Sequence, residues 1–336
     1  MTGWWVLPEL CERPANMLAR ERARAQEVRR GLCRWWRVYG RRMRDAVTEL
    51  DLPCPVHTAA SDGTTVWCAG PGGVHAYTAS GVPLETDEEE PPELRSLAAV
   101  PGTVSAAAGV PGMLAETVML PRSFAGTSEL SDPLTKGTLA GAGRGHVYWL
   151  DPTGVPLADV PFEGRVVAGG GEIWAVGAGQ ARRLAEPGNL HDPVDLPALD
   201  RCAAEGERLW WTSKRDTILR GGPKEVDLGP GERGGMAVCA GSLWVSVAGG
   251  LLRVSAWSGE PRRFVGAPEG PVPFLVCANG VLAGGVRDLF VLAPAAGAAL
   301  RVIRLGLSAP IALMIAAGKH IWAFPAGRSQ ALIVRA

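Results

Sequence analysis

The chain has 336 residues, of which 44 are Gly, 27 are Pro and 47% are hydrophobic. That mixture is too apolar for a disordered protein and suits many short strands joined by tight turns. The formal charge is +0 but divided: eleven Arg, no Lys, four Glu and one Asp give residues 1–47 a net +6, leaving −6 on the remainder.

A basic extension on an acidic body is expected either to touch it or to seek an acidic partner. Met1 to Leu10 lacks a basic stretch followed by an apolar one, so no signal peptide is expected. No window approaches the ~18 uninterrupted apolar residues of a membrane span. The seven cysteines, Cys11, Cys33, Cys54, Cys68, Cys202, Cys239 and Cys277, are odd in number and contain no CxxC pair. Several sit in apolar runs, as buried free thiols do. A reducing compartment, hence the cytoplasm, is expected rather than a disulfide framework.

Residues 16–46 contain no Pro and only Gly31 and Gly40, which predicts a helix. Pro14 and Asn16 suit its start. Val28, Leu32, Trp35, Tyr39 and Met43 recur at helical spacing and form one apolar face. Arg29, Arg30, Arg34, Arg37, Arg41, Arg42 and Arg44 fall on the others. Three roles compete: packing on the rest of the chain, docking on another protein, and binding nucleic acid or an anionic membrane. Met1 to Pro8 reads as a second anchoring peptide. The candidate partner-binding residues are Trp4, Trp5, Arg30, Arg34, Trp36, Arg37 and Arg41.

From residue 46 onward one signature recurs: a Gly, then three or four residues later a Trp or a small residue at a marker position. Strong copies are Gly63-Thr-Thr-Val-Trp67, Gly171-Glu-Ile-Trp174, Gly206-Glu-Arg-Leu-Trp210, Gly241-Ser-Leu-Trp244 and Gly318-Lys-His-Ile-Trp322. Weaker copies end at Ser105, Ala140 and Ala283. Each marker is preceded by a run of small apolar residues and followed, after a turn, by two further short segments. Four short strands per repeat make a propeller blade. The recurrent Trp is read as the residue that packs one blade on the next.

Eight markers predict an all-β, eight-bladed propeller over residues 46–336, preceded by an extension over 1–45. The last unit holds only three strands, so its fourth is expected from Val47-Thr-Glu-Leu-Asp-Leu-Pro53, which resembles Pro193-Val-Asp-Leu-Pro197 and Glu225-Val-Asp-Leu-Gly229. Borrowing that strand closes the ring and removes an open edge. Two units are irregular, around Met113-Leu-Ala-Glu116 and Leu130 to Lys136. Their collapse into one would leave seven blades.

Stretches such as Gly241-Ser-Leu-Trp-Val-Ser246, Gly250-Leu-Leu-Arg-Val254 and the turn Ser258-Gly-Glu-Pro261 resemble the propeller superfamily that includes streptogramin-lyase-like, NHL-type and YVTN-type proteins. The resemblance covers about residues 46–336 and implies the fold, not an activity.

Chemistry is sparse. The expected inner strands, such as Val166 to Gly169 and Met236 to Cys239, offer few acids, bases or ligands. The five histidines, His57, His75, His146, His191 and His320, each fall in a different unit by this reading, with none in a metal-spaced pair. His57 is the best candidate for a base at the channel mouth, although a surface histidine is the plainer reading. Streptogramin-lyase-like enzymes use a His with nearby acid and metal-binding groups, and no such motif maps onto this chain. No GxSxG, Walker-type or HExxH motif occurs. The run Glu85 to Glu93 reads as a solvated loop that could take a cation or the basic helix.

The expectation is a non-catalytic scaffold or assembly subunit of bacterial type, with the helix as docking element and a protein as partner. No catalytic, cofactor or metal residues are assigned, no cofactor is expected, and no small-molecule substrate is identifiable. The alternatives are a channel-mouth lyase or hydrolase of streptogramin-lyase-like type, and nucleic-acid binding through the Arg-rich helix.

Overall fold

The computed structural model describes residues 47–71, 73–84, 94–99, 139–177, 179–264, 270–292 and 300–336. Among them strands follow one another in antiparallel sheets, each running outward from a central axis. The chain enters through β1 (Val47–Asp51). The first blade is β2 (Thr58–Ser61), β3 (Thr65–Gly70) and β4 (Gly73–Thr78). The second is β5 (Ser96–Ala99), β6 (Leu139–Gly143), β7 (His146–Leu150) and β8 (Pro156–Pro161). The third is β9 (Arg165–Gly169), β10 (Glu172–Gly177), β11 (Gln180–Arg183) and β12 (Val194–Asp195). The fourth is β13 (Leu199–Glu205), β14 (Arg208–Ser213), β15 (Ile218–Arg220) and β16 (Val226–Asp227). The fifth is β17 (Arg233–Cys239), β18 (Ser242–Val247), β19 (Gly250–Ser255) and β20 (Pro261–Phe264). The sixth is β21 (Phe274–Ala278), β22 (Val281–Gly285), β23 (Leu289–Leu292) and β24 (Leu300–Ile303). The seventh is β25 (Ile311–Ala317), β26 (His320–Pro325) and β27 (Gln330–Arg335), completed by β1 beside β27.

The innermost strands neighbour one another in the order β2, β5, β9, β13, β17, β21, β25 and back to β2. The ring therefore closes with seven blades, the smaller of the two expected counts. The eight-blade reading fails at the second unit. There β5 pairs directly with β6, Leu97 opposite Gly141 and Ala98 opposite Ala140. Strand pairing follows backbone hydrogen bonds, which repeat spacing alone does not reveal. Ser105, Met113 to Glu116 and Leu130 to Lys136, on which the eighth unit rested, lie outside the described residues.

Closure by the N-terminal strand holds. The Leu52 amide donates to the Ser329 carbonyl at 2.9 Å, and Gln330 Nε2 donates to Glu49 Oε2 at 3.1 Å. Leu52 is buried in a cluster with Trp322, Phe324 and Ile333, against which Leu50 also packs. The expected fourth strand of the first blade, Val82-Pro-Leu84, is reduced to a single bridge between Pro83 and Tyr77. The Thr78 amide donates to the Val82 carbonyl and the Leu84 amide to the Ala76 carbonyl, both at 2.8 Å, so Pro83 sits at a pairing that needs no N–H from it.

The apolar clusters lie between blades. Trp67, Trp174, Trp210, Trp244 and Trp322 are all buried there, each on the second strand of its blade. In the second blade the marker position holds Ala140, and the bulk comes from its cross-strand partner Trp149. Four of these indoles also donate forward around the ring to a turn of the next blade, among them Trp174 Nε1 to the Gly206 carbonyl at 3.1 Å. Trp322 Nε1 reaches the Ala79 carbonyl at 2.9 Å and Trp67 Nε1 the Pro152 carbonyl at 2.8 Å. Trp149 Nε1 lies 3.4 Å from the Ala185 carbonyl. Side-chain hydroxyls tie the inner strands: Thr58 accepts from the Leu97 amide at 3.0 Å and Ser96 from the Val166 amide at 2.9 Å. Blades approach so closely at Gly169 that an added Cβ would stand 2.1 Å from the Ala204 carbonyl oxygen.

The cysteine expectation needs one correction. Cys239, the last residue of β17, and Cys277 of β21 form a disulfide, with Cα atoms 5.4 Å apart. Neighbouring inner strands place the two Cβ atoms within bridging reach, although 38 residues separate them in the chain. Cys54, Cys68 and Cys202 are free. Among the described residues no helix is long and apolar enough to cross a membrane.

Candidate functional site: the central channel and the outer rim

The inner strands enclose an axial cavity of about 580 Å³. Its wall is built from residues such as Ala98, Ala168, Ala203, Val238, Val276 and Ile315. Small side chains are required here because seven backbones converge on one axis and leave little room between them. Glu205, where β13 meets its turn, is the one carboxylate among the described lining residues. Its Oε2 accepts the Trp210 indole N–H at 2.9 Å, with Arg208 Nη1 3.7 Å away. The group is thus oriented by its own blade.

Two cysteine side chains also reach this wall, the free thiol of Cys202 and the disulfide-bonded Cys277. Arg165 Nη2 lies 3.5 Å from Cys202 Sγ. Burial pushes the Cys202 thiol up, and the nearby guanidinium offsets this only in part. Between the first and last blades, burial likewise raises Cys68, helped by Cys54, while burial together with Cys68 and Cys54 moves Tyr77 to about 12. These groups stay protonated at neutral pH and act as core.

The histidines do not converge. His57, just before β2, is exposed, and its backbone amide donates to the Ala69 carbonyl. His75 lies on β4 of the same blade, which corrects the expectation that each histidine occupies its own unit. His146 of β7 meets Asp159 at 2.6 Å on the outer part of the second blade. His191 follows β11, and His320 begins β26, where burial lowers its pKa. Among the described residues no group of His, Cys, Asp and Glu is arranged to hold a metal. Trp4, Trp5, Arg30, Arg34, Trp36, Arg37 and Arg41, the acidic run Glu85 to Glu93, and the predicted helix all lie outside the described residues.

The rim carries a feature that the repeat reading passed over. Outer strands in four blades are acidic, with Glu49 and Asp51 on β1, Asp159 on β8, Asp195 on β12 and Asp227 on β16. On the fifth and sixth blades the sign reverses: β20 carries Arg262 and Arg263, and β24 carries Arg301 with Arg304 just beyond. Among the described residues none of these four arginines has a carboxylate within ion-pair distance. Beside them Trp257 stands 90% exposed on the turn between β19 and β20. That turn is held in place, because Arg208 Nη1 donates to the Ala256 carbonyl at 2.8 Å and Lys224 pairs with Glu260. The sequence signal was present in Pro261-Arg-Arg-Phe264, which breaks the Val-Asp pattern of β12 and β16.

No protein-family model and no curated protein sequence matches the chain. Solved structures share its fold. A catalytically inactive histidine-to-alanine variant of virginiamycin B lyase from Staphylococcus aureus, with quinupristin, superposes with a TM-score of 0.59 at 13% identity, over 86% of this chain and 99% of that one. The WD40 domain of Neurospora crassa Pan2 gives 0.58 at 8% identity, over 86% and 94%. The WD40 β-propeller domain of Doa1 gives 0.56 at 14% identity, over 85% and 95%. The chain is therefore a β-propeller similar in fold to a streptogramin lyase and to WD40 domains, and at these identities the likeness concerns the fold alone.

Proposed function

We propose that the chain is a non-catalytic propeller serving as a protein-interaction platform, with the Arg-rich segment before the ring as a docking element. The observation that carries this reading is the channel wall, in which Glu205 is the one carboxylate among the described residues and is already engaged by Trp210. Likeness to WD40 domains supports it at the level of the fold. In this reading Trp4, Trp5 and Trp36 supply apolar anchors, and Arg30, Arg34, Arg37 and Arg41 meet an acidic partner. Deleting residues 1–45 should abolish co-purification of a partner from the native host while the ring still folds. Unchanged co-purification would count against it.

The likeness to virginiamycin B lyase favours a second reading, a lyase or hydrolase at the channel mouth. It needs polar groups gathered around His57, whereas the other described histidines sit elsewhere. Incubation with quinupristin, followed by chromatography, tests it: loss of substrate that His57→Ala prevents would favour the enzyme. Nucleic-acid binding through the Arg-rich segment predicts heparin retention that falls steeply with salt, and flow-through at low salt would end it.

A further inference from the structure

We propose that the outer edge of the fifth and sixth blades is a docking site for an acidic, extended segment of a partner protein. The inference rests on the platform reading and names one of its surfaces. Among the described residues, outer strands β20 and β24 have backbone groups paired on one side only, by β19 and β23. An extended segment can add to such an edge through main-chain hydrogen bonds, while its side chains supply specificity. The chemistry of that specificity is set by Arg262, Arg263, Arg301 and Arg304, four guanidinium groups on two adjacent blades without a carboxylate in reach among the described residues.

The remaining features fit the same occupant. Arg301 is half-buried and its Nε has no hydrogen-bond partner among the described residues. That atom is shielded from solvent, so an incoming carboxylate would meet the exposed Arg262, Arg263 and Arg304, whose guanidinium groups bind carboxylates in a two-toothed fork. Val302 is 52% exposed on the same strand, and Trp257 projects beside β20 from its braced turn. An exposed Trp on a braced turn at the border of a charged edge suits an anchor contact, because the backbone that carries it is already held in place. The acidic outer strands of the other blades, such as β12 and β16, would repel the same segment, so the site is confined to this sector.

The test uses the full chain and a short fluorescent peptide of alternating Glu and Val. Matched controls carry Lys in place of Glu, and a single-stranded oligothymidylate serves as a charged but strandless polyanion. Anisotropy at low salt should show binding of the acidic peptide alone, weakening as salt is raised. Arg262→Glu/Arg263→Glu should weaken it about tenfold or more, as should Arg304→Glu in smaller measure. Asp195→Lys/Asp227→Lys should leave it unchanged. Unaltered thermal melting of each variant excludes misfolding as the cause.

Binding that survives the rim substitutions assigns the anion site to the arginines of residues 1–45 and overturns the proposal. So does equal binding of oligothymidylate, or self-association of the chain that the rim variants abolish. Absence of any peptide binding, while a partner still co-purifies through residues 1–45, removes the rim site and leaves the platform reading standing.

Discussion

Trp322 Nε1 donates to the Ala79 carbonyl across 2.9 Å, tying the blade built from both chain ends to the blade that follows it. The same indole packs with Tyr77, their ring centroids 5.9 Å apart. Replacing Trp322 by Phe keeps most of the apolar surface and removes the donor, and should cost about 1 kcal/mol. Trp322→Ala empties an inter-blade core and should cost about 3–5 kcal/mol. Chemical denaturation of the two variants separates the terms.

Ring closure depends on a strand contributed from far away in sequence. Leu52→Ala should cost about 2–5 kcal/mol because the side chain is buried between β27 and the first blade. Thr48→Ala, on the exposed side of β1, should stay within about 0.5 kcal/mol of the parent. Removal of residues 47–53 along with the extension should expose the edge of β27 and promote aggregation, read by size-exclusion chromatography.

The Cys239–Cys277 bond joins the fifth and sixth blades at the channel wall. Closing a loop of 38 residues restricts the unfolded chain by about 4 kcal/mol in the chain-entropy view. Addition of a reductant should therefore lower the unfolding midpoint and expose two further titratable thiols in the denatured chain. A thiol count that does not change with reductant would mean that the two sulfurs are free, and would restore the expectation of a reducing compartment.

Asp151 braces the turn whose Pro152 carbonyl receives Trp67. Burial alone would raise its pKa, but the Thr153 hydroxyl and the amides of Val155, Thr153 and Gly154 outweigh it and hold the carboxyl below its usual range. A depressed carboxylate stabilises the fold above the ordinary Asp pKa, and that stabilisation is lost as pH falls through the folded value. Asp151→Ala should cost about 1–2 kcal/mol at neutral pH, and the difference from the parent should shrink in acid. Urea titrations at both pH values measure it.

The repeat was legible because each blade must fill the same gap against its neighbour, so a large residue returns at the same place: Trp67, Trp174, Trp210, Trp244, Trp322. The closing strand was legible because Val47 to Leu52 shares its pattern with Pro193 to Leu196. The second blade was not. A Trp moved one strand outward, from the position of Ala140 to Trp149, keeps the packing volume while erasing the marker. Ser105 fell at repeat spacing and lies outside the described residues.

The shared final sheet and the buried position of the five Trp markers follow from sequence alone, since they depend on local hydrophobic pattern and on the need to cover edges. Blade number, the Cys239–Cys277 bond, and the gathering of Arg262, Arg263, Arg301 and Arg304 on one sector were decided only in three dimensions. Each of these depends on which distant strands become neighbours, and contacts across tens of residues leave no periodic trace in a single chain.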